Sequence, residues 1–265
     1  MALPRPLPAG PDREPSLVKS AERTVRILET LAASPRPLTL SKLQQLIGCP
    51  RSSLHALMRT LTELKWVEAD ANRLTYGIGP HALLTGTAYL DKDPALQLAQ
   101  HTLEDLRAEI GYTVHFARRD DGHVLYLASR ESRRAVRMVP RVGRRLPAHV
   151  VALGQALLAE LTDADVAALL PEPLPAYTEN SITDLAALAA ELAAVRARGW
   201  AFEREQGTLG VACVACAVSY RIPATDAISC SMPAELPAAE VDRITEAVVR
   251  HTAKLAAALR REGIR

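Results

Sequence analysis

Three short helical patterns, a glycine-bearing turn and a hairpin pattern follow one another within residues 20–78. This ordered set constrains the fold more than any other feature of the chain. In the first pattern Val25, Ile27, Leu28 and Leu31 recur at helical spacing, Ser20 is placed to cap the start, and Ser34-Pro-Arg-Pro37 ends it. The second follows Thr39, from Leu40 to Ile47, and Gly48-Cys49-Pro50 makes a tight turn. The third runs from about Arg51 to Lys65, with Leu54, Leu57, Met58, Leu61 and Leu64 on one stripe. Trp66-Val67-Glu68 and Leu74-Thr75-Tyr76 read as two strands around the polar loop Ala69 to Arg73. Helix, helix, short turn, helix and hairpin together describe a winged helix-turn-helix. A small helical domain with a hairpin lid is the plain alternative.

Charge singles out the same stretch. Residues 17–78 hold nine Lys/Arg against five Asp/Glu, a net +4, whereas the whole chain carries +2. Residues 1–16 balance to zero, so 79–265 carry −2. A basic segment on a slightly acidic body points to a polyanionic partner for that segment alone. Residues 1–16, with five prolines and no periodic pattern, are expected to form a disordered arm. No apolar run is long enough for a membrane helix, and Met1 to Gly10 does not read as a secretory signal. Four cysteines in 265 residues make no disulfide framework. A reduced, cytoplasmic protein is the expectation.

Gly77-Ile-Gly79-Pro80 closes the wing, and His81 to Leu90 reads as a linker helix. Its apolar face (Leu83, Leu84, Thr87, Ala88) must bury somewhere, for which a second subunit is a candidate. Beyond residue 92, helical and extended patterns mix. Helices are predicted at Leu96 to Ile110, Val151 to Leu161, Asp163 to Leu170, Leu185 to Arg198 and Ala238 to Arg261. Strands are predicted at Thr113 to Arg118, Val124 to Ser129, Arg134 to Pro140, Ala201 to Glu205, Gly210 to Val218 and Asp226 to Ser231. The class is therefore α+β, with one antiparallel sheet and helices on its faces. The expected division is a 1–16 arm, a 17–78 winged helix-turn-helix for DNA, a 79–92 linker and a 93–265 α+β domain.

Three blocks carry a family resemblance. The first is Ser41-Lys-Leu with Ile47-Gly48-Cys49-Pro50-Arg51-Ser52-Ser53-Leu54-His55. The second is Gly143-Arg-Arg-Leu146-Pro147-Ala-His149 with Leu153-Gly154-Gln-Ala156-Leu157-Leu158-Ala159. The third is Gly199-Trp-Ala, Glu205, Gly210-Val211-Ala-Cys213-Val-Ala215 and Ser229-Cys-Ser231. In this order they resemble IclR-type bacterial transcription regulators over about residues 17–262. The resemblance implies a winged helix-turn-helix, a GAF-like effector domain, and a dimer or dimer of dimers on double-stranded DNA.

A recognition helix meets the major groove with its N-terminal end. Arg51, Ser52, Ser53 and His55 occupy that end here, with Arg59 further along. Arg51 is suited to a bidentate contact with guanine, or else is a solvated helix charge. Thr39 caps its helix or touches phosphate, while Asn72 and Arg73 at the wing tip reach for groove or backbone. Lys19 and Arg23, upstream in the basic stretch, are further candidates for contact with DNA. The family pattern has Arg after the position of His55; this chain has Ala56.

For the effector, the resemblance implies backbone groups at Ala152, Leu153 and Gly154, polar groups at Glu203, Cys213, Ser229 and Ser231, and apolar walls at Met138 and Leu146. His149 is a pocket donor or a satisfied structural histidine. Glu203, where some relatives have Asp, would repel an anion unless paired or protonated. Cys213-Val-Ala-Cys216 is spaced for redox or zinc chemistry, but residues three apart on a strand face opposite ways. No metal or cofactor is expected. An enzyme using Cys213 with His149 as base lacks a third orienting residue, and the phosphate-loop, dinucleotide, serine-elbow and zinc-protease motifs are absent. The expectation is a non-enzymatic, effector-responsive DNA-binding regulator. The alternatives are a small-molecule-binding protein whose winged helix contacts protein, and that Cys213 enzyme.

Overall fold

A computed structural model describes residues 18–70, 72, 74–132 and 142–264. The expected arm, the predicted strand Arg134 to Pro140, and Arg73 and Met138 fall outside them. The chain divides into two compact units, one ending at Tyr89 and the other starting at Leu90.

The first unit contains α1 (Lys19–Ala33), β1 (Leu38–Thr39), α2 (Leu40–Ile47), α3 (Arg51–Glu63), β2 (Val67–Asp70) and β3 (Thr75–Ile78). Local chemistry sets most boundaries. Thr39 caps α2 by accepting from the Lys42 N–H, and Gly48, at φ 70°, supplies the left-handed residue that stops it. α1 departs from expectation at its start. Val18, not Ser20, takes the extended cap position, and Ser20 lies in the first turn. Ile27, Leu31, Leu43, Ile47, Leu54, Met58, Leu61 and Val67 form the core. The hairpin pairs Asp70 with Thr75, so its loop is shorter than predicted, and Gly77 and Ile78 belong to β3. β1 was not predicted; it adds a third strand by pairing Leu38 with Tyr76 and Thr39 with Thr75.

α4 (Pro80–Asp91) carries the chain out of this unit. None of its residues is buried, and Leu83 and Leu84 are 68% and 64% exposed.

The second unit is a six-stranded antiparallel sheet with helices on both faces, as the α+β reading expected. Its strands are β4 (Thr113–Asp120), β5 (His123–Arg130), β6 (Arg145–Pro147), β7 (Ala201–Arg204), β8 (Val211–Ala217) and β9 (Asp226–Pro233), in the order β6-β5-β4-β9-β8-β7. The helices are α5 (Pro94–Ile110), α6 (Ala152–Leu158), α7 (Asp163–Leu169), α8 (Leu185–Arg198) and α9 (Ala238–Arg261). β6 was not predicted, and α6 stops three residues before its predicted end. Asp93 caps α5 through the N–H groups of Ala95 and Leu96, and Asp184 caps α8.

The two sheet faces differ in kind. Val114, Phe116, Val214, Cys216, Ile228, Cys230 and Met232 meet α5 and α9 in one apolar core. The other face carries alanines and short polar groups, and α6 and α8 pack toward it. Gly154 of α6 is pressed onto the 3-10 turn Ala148–Val150; a Cβ there would sit 2.1 Å from the Ala148 carbonyl oxygen.

Candidate DNA-binding and effector sites

With Leu54, Met58 and Leu61 turned into the core, α3 exposes Arg51, Ser52, His55, Ala56 and Arg59, and Ser53 is half-buried. Arg51, His55 and Arg59 stand four residues apart, one above another on the helix surface. α3 begins at Arg51 and has no side-chain cap, so Ser52 is not a cap residue. The Thr39 hydroxyl is engaged as the α2 cap. Asn72 is exposed at the wing tip, its N–H donating to Asp70. The Arg23 guanidinium reaches from α1 to the Ser53 hydroxyl at 3.3 Å.

The second site is built by register. Residues directly opposite in antiparallel strands point to the same face. One row across β7, β8, β9 and β4 is Glu203, Cys213, Ser231 and Thr113. The next is Ala201, Ala215, Ser229 and His115, continuing to Ser129 on β5. The third, Ala217, Ala227 and Ala117, leads to Tyr126. All lie on the α6 side. Thus four of the expected residues, Glu203, Cys213, Ser229 and Ser231, come together on adjacent strands. Cys216 faces the opposite core, its thiol donating to the Gly199 carbonyl, so the C-x-x-C pair is split between faces.

Glu203 is 3% exposed and accepts a hydrogen bond from the Gln206 N–H at 3.0 Å. Burial pushes its carboxyl up to about 7, against partial opposition from hydrogen bonds with Cys213 and the Gln206 and Gly207 backbone. The Cys213 sulfur lies 3.3 Å from the Ser231 hydroxyl, and burial followed by the Glu203 charge raises its pKa well above the ordinary thiol range. An activated nucleophile needs the reverse shift. No Lys or Arg belongs to these rows.

His115 was not foreseen. It is 1% exposed; Nδ1 lies 2.8 Å from the Ser129 hydroxyl, and Nε2 has no partner among the described residues. Burial lowers its pKa to about 4, so the ring is neutral at neutral pH. It meets the Tyr126 ring edge-on, with centroids 5.3 Å apart. The available signal was alternation: along Thr113-Val-His115-Phe-Ala117, polar or small residues alternate with large apolar ones.

Over this face, Ala152, Leu153 and Gly154 are buried in the first turn of α6, where N–H groups lack intrahelical partners. His149 is buried beside them, and its Nε2–H donates to the Pro175 carbonyl at 2.9 Å. The Gln155 amide donates to the His149 carbonyl and to Gln206 Oε1. Thr178 and Ser181 donate to the backbone carbonyls of residues 205–206. Leu146 lies on β6 at the far end of the sheet. A groove of about 550 Å³ lies elsewhere, beside the C-terminal end of α5; Arg107, Tyr112, Glu240 and Arg243 line it, and no residue of the three rows does.

Comparison with known proteins follows the same division. The model for the bacterial transcriptional regulator IclR C-terminal domain matches residues 87–257, and that for the IclR helix-turn-helix domain matches 20–71. The chain is 31% identical over 254 residues to the transcriptional repressor IclR of Escherichia coli (strain K12), covering 91% of this chain and 92% of that protein. It is similar to the crystal structure of an IclR transcriptional regulator from Alicyclobacillus acidocaldarius, with a TM-score of 0.80, 27% identity, and 91% and 99% of the two chains covered. An IclR homologue from Microbacterium hydrocarbonoxydans, crystallised with 4-hydroxybenzoate, shares the fold at a TM-score of 0.75 and 22% identity, over 91% and 99% of the chains. The chain belongs to the IclR family of bacterial transcription regulators.

Proposed function

We propose that this protein is a cytoplasmic, homo-oligomeric repressor. It binds a pseudo-palindromic operator and responds to a small organic acid or aromatic metabolite. The carrying observation is the exposed Arg51-Ser52-His55-Arg59 surface of α3, free of core duties on a helix-turn-helix. Arg51 and His55 read base edges; Ser52, Ser53, Arg59 and the wing residues Asn72 and Arg73 bind backbone or groove; Thr39 holds α2 in place. In this reading residues 17–78 bind DNA, 79–92 link, and 93–265 bind effector and self. The bare leucines of α4 support self-association.

The effector lies on the small, polar sheet face, against Glu203, Cys213, Ser229 and Ser231. The α6 turn at Ala152, Leu153 and Gly154, with His149 and Leu146, completes the enclosure, and Met138 is kept as a wall residue on the family resemblance alone. His115 and Tyr126 join that set. The relative that holds 4-hydroxybenzoate lends support to an aromatic acid. Binding changes operator affinity only insofar as it favours one arrangement of the DNA-binding units. The raised Cys213 pKa speaks against a thiolate enzyme at this site.

The test is a fluorescence-anisotropy titration of the protein against its own upstream DNA, at two salt concentrations and with unrelated competitor. It is repeated with 4-hydroxybenzoate, benzoate and aliphatic hydroxy acids. Tight, competitor-resistant, salt-sensitive binding relieved by one of these acids is the expected result. Binding no better than to competitor, at either salt, would overturn the operator reading.

A further inference from the structure

We infer that Arg23, on α1, is part of the DNA-contacting surface: it bridges to Ser53 on α3 and offers its remaining N–H groups to a backbone phosphate beside the base-reading residues. This rests on the DNA-binding reading above and adds a residue from a different helix.

The half-buried Arg23 guanidinium donates one N–H to the Ser53 hydroxyl at 3.3 Å, across 30 residues of sequence. A guanidinium has five N–H donors in a planar fork. Among the described residues no carboxylate lies within ion-pair distance of it, and the neighbouring acid Glu22 pairs with Arg26 at 3.8 Å. Arg51, at the start of α3, likewise has no acidic partner among the described residues. Arg23 at the bridge and Arg51, two residues before Ser53 on α3, therefore each stand without a neutralising acid among the described residues. A polyanion supplies the missing countercharge.

The bridge also defines what Ser53 does. With one lone pair taken by Arg23, its hydroxyl hydrogen remains available to donate. Donation to a phosphate oxygen beside the Arg23 fork makes a two-point clamp that joins α1 to α3 through the DNA backbone. Phosphate contacts of this kind set the register of a recognition helix without reading sequence.

The experiment is anisotropy titration of the full-length protein and its Arg23→Ala, Arg23→Gln and Ser53→Ala variants. Each is run on the native upstream duplex and on an unrelated duplex, over a range of salt, with thermal melts to check folding. Arg23→Ala is expected to weaken both duplexes by about the same factor, roughly five- to tenfold, and to reduce the salt slope by about one. Arg23→Gln keeps an amide N–H for Ser53 but no charge, and is expected to show the same loss of slope. It carries the test if the alanine variant does not fold. Ser53→Ala is expected to weaken binding while keeping the slope, because the charge remains. If Arg23→Gln regains wild-type affinity and slope, Arg23 is only a strap and the inference fails. Wild-type slope in both Arg23 variants overturns it equally. Failure of the wild-type protein to bind either duplex overturns the DNA-binding reading itself, and this inference with it.

Discussion

Glu203 and Cys213 stand opposite each other in the β7–β8 ladder, on the sheet face that also holds the neutral imidazole of His115. Two buried groups of opposite titration character thus share one face, and their effects on stability oppose. Glu203, raised from 4.5 to about 7 by burial, contributes stability that is full below pH 4.5 and gone above about 7. His115, lowered from 6.5 to about 4 by burial, contributes stability that is full above pH 6.5 and gone below about 4. Between pH 4.5 and 6.5 the two slopes cancel. Relative to wild type, stability of Glu203→Gln should therefore rise with pH by about 1.4 kcal/mol per unit, and that of His115→Gln should fall by as much. Urea denaturation at several pH values in this window decides it. Parallel profiles for all three proteins would show that these groups titrate normally.

Glycine 154 should tolerate no side chain. A Cβ there would overlap the Ala148 carbonyl, which is backbone and cannot swing aside. Gly154→Ala should cost about 3 kcal/mol, the upper end for overpacking. Gly86, inside the exposed α4, meets nothing within 4 Å, so Gly86→Ala should instead stabilise the helix by about 0.8–1 kcal/mol. Thermal melts of the pair should move in opposite directions.

The fully buried Asp226 is held by Arg118 through Nε at 2.6 Å and Nη2 at 3.0 Å, and by the Tyr220 hydroxyl at 2.5 Å. Arg118 also pairs with Asp93, the α5 cap. Asp226→Ala removes one partner from a mostly buried pair and should destabilise the second unit by about 3–5 kcal/mol. A denaturation midpoint close to wild type would mean that water reaches the network.

Operator and effector functions should separate by mutation. Arg51→Ala should cost about 1–3 kcal/mol on the specific duplex and less on unrelated DNA. Ser229→Ala with Ser231→Ala should keep operator affinity within about twofold while abolishing release by the active acid, since direct hydrogen bonds to a ligand decide recognition. An equal loss for Arg51→Ala on both duplexes would reduce Arg51 to a phosphate contact. An unfolded serine variant would make those hydroxyls structural.

Much of this was legible in the chain before folding was considered. The limits of α2 follow from Thr39 and Gly48, those of α8 from Asp184 and Gly199, and the separation of Cys213 from Cys216 from strand alternation alone. These features depend on groups within a few residues of each other, so local hydrogen bonding and periodicity decide them. β1 and β6 were missed because neither is a strand by itself. Leu38–Thr39 becomes one only beside β3, and Arg145–Pro147 only beside β5. His115 was missed for a related reason: alternation along Thr113 to Ala117 puts it on the polar and small side of the strand, but only when β4 lies against β9 is it set across from Ser229. The sequence by itself determined the family, the two-part organisation and the short-range elements. Tertiary structure alone decided which distant side chains share a face, because that depends on strand order and register, and these are settled by burying one whole sheet face against α5 and α9.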